Sequence, residues 1–143
     1  MALPKVADLY SARRERDDTL YSDFLVNFNA HPDNRQLIRN LNEDSVIRSL
    51  KNLISTNKYE RLFQPNIGSN IRYLLFEPIS PQTEVAIKEE IRRTIENYEP
   101  RINIIDIIVS GYVDQNAYAV TISFYLTTIQ NAISVTIPLI RVR

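Results

Sequence analysis

The residue types able to do chemistry are few. The chain has one histidine, His31, set in the turn-forming run His31, Pro32, Asp33, Asn34. An imidazole can act as a general base, but no constellation of serine and carboxylate around it suggests a triad, and a solvated surface histidine is the better account. Carboxylates are the other candidates. Glu60, Glu77, Glu99 and Asp106 fall near the ends of expected helices or loops, where catalytic groups often lie. Two of them at the right separation could hydrolyse a glycosidic bond. Tryptophan, a common sugar-stacking residue, is absent. With only Gly68 and Gly111 there is no glycine-rich phosphate loop. No cysteine is present, which removes disulfides, thiolate ligands and cysteine nucleophiles, and a single histidine removes multi-histidine metal sites. No cofactor is expected.

One local cluster has a fixed geometry. In Glu99, Pro100, Arg101 a proline sets the backbone between opposite charges, and arginine suits bidentate recognition of a carboxylate. A helix terminator with a surface ion pair worth about 0–1 kcal/mol explains the same three residues.

The elements that must position these groups read as α+β. A polar arm over residues 1–20, carrying Arg13, Arg14, Glu15, Arg16, Asp17 and Asp18, either orders on a partner or is a solvated tail; residues 21–143 make one domain. Asp23 to Asn29 alternates as a short strand. Asn42 is the expected N-cap of a helix over Glu43 to Thr56, with Val46, Ile47, Leu50, Leu53 and Ile54 on one face. Leu62, Phe63 and Ile67 are expected to pin the following loop, Lys58 to Gly68, to the core. Ser69 is the expected cap of a short helix ended by Pro78. Ser80 and Pro81 open the second long helix, with Ile87, Ile91, Ile95 and Tyr98 inward, and Pro100 stops it.

The remainder reads as an antiparallel meander. Ile102 to Ser110 is nearly all apolar and is expected to be buried on both faces. Tyr118 to Leu126 and Ile133 to Leu139 alternate cleanly. Pro138 cannot donate to a ladder, so the last strand is expected at an edge, where unpaired backbone can serve another chain. Two main helices plus a short helix packed on a small antiparallel β-meander is the predicted fold.

The 143 residues suit one ordinary domain. Lys plus Arg and Asp plus Glu are 17 each, so the formal charge is zero and unspecific attraction to nucleic acid or anionic membrane is not expected. No apolar run of membrane-spanning or signal length occurs, which predicts a soluble protein made in the cytoplasm.

Three stretches carry a resemblance. "NEDSVIRSLKNLISTNKYERLFQPNIGSNIRYLLFEP" (42–78) resembles the signature region of the contractile-tail baseplate wedge and sheath-initiator family. Its features are a helix ending in a Thr-Asn pair (Thr56, Asn57), a Gly-Glu-Arg-Pro-Phe-type loop, and a Phe-Gly-Ser-type turn into a short helix. "SPQTEVAIKEEIRRTIENYEPRI" (80–102) resembles the family's second helix with its Glu-Pro-Arg motif, and "YSDFLVNFNAHP" (21–32) its myovirus openings. Tyr59 stands where the family commonly has glycine, Leu62 where it has proline, and Ile67 where it has an aromatic. The resemblance implies a sheath-subunit-like fold in a structural, non-enzymatic virion component of the tail baseplate. Its partners would be a helical core bundle of neighbouring wedge proteins and the tail sheath subunits, with no nucleic acid, membrane or small-molecule substrate. The docking residues implied are Glu99, Pro100 and Arg101, with Glu60, Arg61 and Phe63 of the loop, and Pro138 at the sheet edge. Arg101→Glu is expected to leave the isolated fold intact while blocking incorporation. The alternatives are a muralytic, lysozyme-like glycoside hydrolase, a type VI secretion baseplate component, or a cytosolic adaptor; some family members carry a lysozyme label.

Overall fold

The structure is a computed structural model describing residues 20–24, 35, 39–127 and 129–141. His31, its turn, most of the arm and residues 25–29 of the strand expected over 23–29 lie outside the described residues. The chain divides into two compact units, 1–45 and 46–143.

In the first unit β1 (Ser22–Phe24) pairs antiparallel with β2 (Arg39–Leu41), Ser22 opposite Leu41. The sequence gives no strand signal at β2, which is three residues long. Helix α1 (Asn42–Ser55) follows directly. Asn42 is its first helical residue, with φ +47°, and its Oδ1 accepts from the amides of Leu20 (3.0 Å) and Tyr21 (3.5 Å). The side chain expected to cap α1 therefore serves the strand beside it. Glu43 and Asp44 still occupy the first turn, where the helix dipole favours negative charge.

The second unit holds the core. Along α1, Val46, Leu50, Leu53 and Ile54 are buried. Helix α2 (Ile71–Leu74) is one turn, and α3 (Pro81–Tyr98) is the longest helix. Ser80 caps α3 as expected: its Oγ accepts from the Thr83 amide at 3.3 Å and Pro81 occupies the first turn. Ser80→Ala is expected to lower stability by about 1 kcal/mol, measured as a shift in urea midpoint without a change in slope.

Strands β3 (Ile102–Tyr112), β4 (Ala117–Leu126) and β5 (Ile129–Ile140) form an antiparallel sheet in the order β3-β4-β5. A 3₁₀ turn (Val113–Gln115) joins the first two, closed by Asn116 at φ +47°. Among the described residues one face of the sheet is covered. Tyr118, Val120, Ile122, Phe124 and Leu126 of β4 and Val135, Ile137 and Leu139 of β5 are buried, as the alternation predicts. The other face carries hydroxyl pairs, Thr121 with Thr136 (3.1 Å) and Ser123 with Ser134 (3.0 Å). Helix α3 packs along β3, and its Ile87, Ile91 and Ile95 are fully buried. Each contributes roughly 1.5–3 kcal/mol of apolar burial.

Three expectations fail here. The apolar run of β3 is not buried on both faces. Ile102 and Ile107 are buried, while Ile105 and Ile108 stay 53% and 55% exposed, because among the described residues nothing covers the outer face and a register shift between Ile104 and Asp106 re-aims the strand. Leu62 and Phe63 do not pin their loop to the core; they are 93% and 96% exposed, and Ile67 is half-buried. Ser69 does not cap α2. It is buried and its Oγ donates to the Ile54 carbonyl (2.9 Å), while Asn70 stands at the cap position with no side-chain cap bond.

Candidate docking site

The Glu99-Pro100-Arg101 corner lies between α3 and β3. Glu99 leaves the helix at φ −130°, ψ 74°, outside the α region that a following proline disfavours, while its N–H still donates to Ile95 O (2.8 Å). Its carbonyl accepts from the Ile102 amide (3.2 Å), closing a turn around Pro100 and Arg101. The Arg101 carbonyl accepts from the Thr127 amide (3.0 Å) and hydroxyl (3.2 Å), tying the corner to the end of β4.

Within this frame the charges pair with each other. Arg101 Nε donates to Glu99 Oε1 (2.5 Å) and an Arg101 terminal nitrogen to Oε2 (2.8 Å), a two-pronged contact. Ser49 of α1 adds a third bond, Oγ to Glu99 Oε2 (2.7 Å). Glu99 is only 4% exposed, whereas the Arg101 side chain is 32% exposed and Pro100 is exposed. Burial pushes the Glu99 carboxyl up. Hydrogen bonds from Arg101 and Ser49, with the guanidinium charge, outweigh that and hold it below its ordinary value. Glu99 thus faces inward as the anchor, and the corner presents Arg101 and Pro100. This corrects the expected tolerance of Arg101→Glu, which would place a second carboxylate against a buried one.

The 58–68 loop is closed by hydrogen bonds, most of them from its backbone. The Tyr59 amide donates to Pro65 O (2.7 Å), the Lys58 amide to Ser69 O (3.3 Å), and Asn57 bridges to Ser69. Tyr98 of α3 donates its hydroxyl to Asn66 O (2.5 Å). Tyr59 adopts φ +66°, the left-handed region that favours glycine, at the position where the resembling family has glycine. Glu60 accepts from the Asn57 amide (2.8 Å), so its carboxylate closes the loop, while Arg61 and Phe63 point to solvent.

Glu90 is a residue that sequence reading missed. It is 8% exposed and accepts from the Asn70 amide (3.0 Å) and Lys58 Nζ (3.4 Å), with Arg93 also bonded to it. It fixes loop and α2 to α3. The available signal was its place three residues after Ile87, on the buried stripe.

At the sheet margin, Gly111 lies opposite Tyr118, and its N–H donates to Glu84 Oε1 (2.9 Å), away from β4. In an antiparallel ladder facing residues aim their backbone groups either both inward or both outward. Tyr118 therefore directs its groups to β5, where it faces Leu139. Pro138 then carries its donorless nitrogen on the outer side, in line with the outward amides of Ser134, Thr136 and Ile140. Among the described residues no strand lies beyond β5. Beside Pro138 opens a groove of about 310 Å³ lined by Ile54, Ile71, Leu75, Phe76 and Ile140, with the Arg141 guanidinium 5.1 Å from the Phe76 ring centroid.

Three of the four carboxylates considered for hydrolysis, Glu60, Glu99 and Asp106, are engaged in structural contacts, and Glu77 is exposed. Asp106, exposed on β3, is held below its ordinary value by hydrogen bonding to Lys88 and to the Ile107 amide. Glu99 and Asp106 thus both favour the ionised form, the opposite of a general acid poised near neutrality. Among the described residues no group of three or more His, Asp or Glu side chains could hold a metal ion.

The family model described as "Baseplate wedge protein gp25" matches residues 41–131. Baseplate wedge protein gp25 of Enterobacteria phage T4 is 33% identical over 91 residues, 64% of this chain and 69% of that protein. Among solved structures, a tail protein of Geobacter sulfurreducens that carries a lysozyme label superposes with a TM-score of 0.66 at 20% identity, covering 71% of this chain and 92% of that one. A chain of the anti-feeding prophage baseplate superposes at 0.59 and 17% identity, covering 86% and 87%. At those identities the two structures establish a common fold, and the family match supplies the rest: the chain belongs to the gp25 family of baseplate wedge proteins of contractile tails.

Proposed function

We propose that this wedge protein is a non-catalytic adaptor with two docking surfaces, one for the baseplate and one for the sheath. Arg101 and Pro100, held out by the buried Glu99, would meet a helical core bundle of neighbouring wedge proteins, aided by Arg61 and Phe63 on the loop that Glu60 closes. The outer edge of β5 would take a strand from a tail sheath subunit by β-augmentation, so that sheath assembly starts on the baseplate. The protein would be made in the host cytoplasm and end in the virion.

The observation that carries this reading is the outer side of β5. A flat row of exposed residues, Ser134, Thr136, Pro138 and Ile140, borders it, and an apolar groove lies alongside. Backbone donors and acceptors would give affinity, and a side chain seated in the groove would fix register. The ionised, internally paired state of Glu99 and Asp106 supports a structural role over muralytic hydrolysis.

Thr136→Pro tests it. The new proline removes one outward amide and the exposed hydroxyl contact to Thr121 and leaves the backbone bonds to β4 in place, so the stability of the free chain should fall by only about 1 kcal/mol. Wedges carrying Thr136→Pro should still incorporate, and the resulting baseplates should fail to start sheath polymerisation in electron micrographs. Full-length sheath on such baseplates would refute the β5 assignment.

A further inference from the structure

A three-stranded sheet has two margins, and here they differ in chemistry. On β3 the register that turns the Gly111 amide outward also turns out those of Val109 and Ile107. Two of these three donors are already taken by carboxylates. Gly111 donates to Glu84 Oε1 (2.9 Å) and Ile107 to Asp106 Oδ1 (2.8 Å). Lys88 Nζ in turn binds Asp106 Oδ1 at 3.2 Å. Glu84 and Lys88 are one turn apart on α3 and so reach the same margin.

Gly111 is part of the arrangement. A Cβ there would stand 2.6 Å from Ile79 Cγ2 and 3.0 Å from Glu84 Oε1, so any larger residue would displace the carboxylate from the amide. The margin needs such cover, because its exposed side chains are apolar: Ile105 and Ile108 are more than half exposed, as is Val113 just beyond the strand. A long apolar edge with open amides is a template for a second copy of itself.

We propose that Glu84 and Asp106 seal the β3 margin against strand addition, leaving β5 as the single working edge of the sheet. The excluded partner is the β3 strand of a second copy. An incoming strand would have to break two charge-assisted hydrogen bonds and leave both carboxylates beside its own carbonyls. That one edge is meant for use rests on the β5 reading above; the sealing of the other does not.

The test is the self-association of the free chain, which involves no sheath. The Glu84→Ala/Asp106→Ala double variant should self-associate at least about tenfold more tightly than the parent by sedimentation equilibrium. Adding Ile108→Lys, which restores a charge to the bared edge, should return it to parental behaviour. A double variant with parental circular dichroism and no tighter association overturns the proposal, as does tightening that Ile108→Lys leaves in place. Should the double variant not fold, Asp106→Ala alone, at an exposed position, should shift association the same way by a smaller factor; no shift again overturns it. Because Thr136→Pro reads sheath initiation and this experiment reads the free chain, either idea can fail without the other.

Discussion

Arg101→Ala is expected to destabilise the free protein by roughly 3 kcal/mol at neutral pH, the low end for breaking a buried ion pair because the guanidinium is one-third exposed. The loss comes less from the contact than from what it leaves behind. At neutral pH Glu99 would stay buried and ionised with the Ser49 hydroxyl and the residue-101 backbone amide as its donors. The pH dependence identifies the cause. In the parent the folded-state carboxyl lies below its ordinary 4.5, so its contribution is fully present above that pH and is lost as pH falls through the lowered value. Without the guanidinium, burial is opposed by the Ser49 hydroxyl and the residue-101 backbone amide alone, and the balance moves toward the neutral carboxyl. The variant therefore gains relative to the parent as acid protonates Glu99. Urea titrations at pH 7 and on the acid side of pH 4.5 should show a large deficit at the first and a smaller one at the second. Equal deficits at both would mean that Arg101 matters for packing instead of charge. Glu99→Gln/Arg101→Gln, which removes both charges, should cost much less than Arg101→Ala and is the right variant for asking whether wedges incorporate without the corner's charge.

That corner also shows where sequence reasoning reaches and where it stops. Ser80-Pro81 and Glu99-Pro100 delimit α3 through local backbone chemistry, and both boundaries are legible in the letters. The alternation from Tyr118 to Leu126 names the buried face of the central strand, since a strand covered on one side obeys a period of two. Other features depend on contacts distant in sequence. Ser49 reaches Glu99 across 50 residues, which no local pattern announces. The isoleucines of β3 look like a doubly buried strand, yet whether they are covered depends on how many layers the domain has. Leu62 and Phe63 look like core anchors because loop hydrophobics often are; hydrogen bonds through Tyr59, Lys58 and Glu60 hold the loop instead and free both side chains. Exposed apolar residues such as Leu62 and Phe63 are the kind of surface that marks a candidate contact for another chain.

The support for that loop sets the second large effect. Gly68→Ala is expected to lower stability by about 3 kcal/mol. Gly68 sits at φ +133°, a region nearly closed to residues with a side chain and costing about 1–3 kcal/mol there. A Cβ would lie 2.7 Å from the Thr56 carbonyl oxygen and 2.8 Å and 2.9 Å from the Asn57 carbonyl carbon and oxygen. These atoms are backbone and cannot swing aside. The Ser69 amide bonds to that same Thr56 oxygen (2.9 Å), so relief would have to open the closure between the end of α1 and the start of α2. The damage should be uneven. Amide exchange should accelerate first at Ser69, Lys58 and Tyr59, whose donors close the loop, while Val120 and Ile122 in the central strand keep protection set by the remaining global stability. A variant that loses stability uniformly, with no local acceleration around the loop, would show that Gly68 is not the strut that holds Leu62 and Phe63 outward. If the loop alone is loosened, wedge incorporation should fall even under conditions where the chain remains folded, which links a single backbone angle to the presentation of a docking surface.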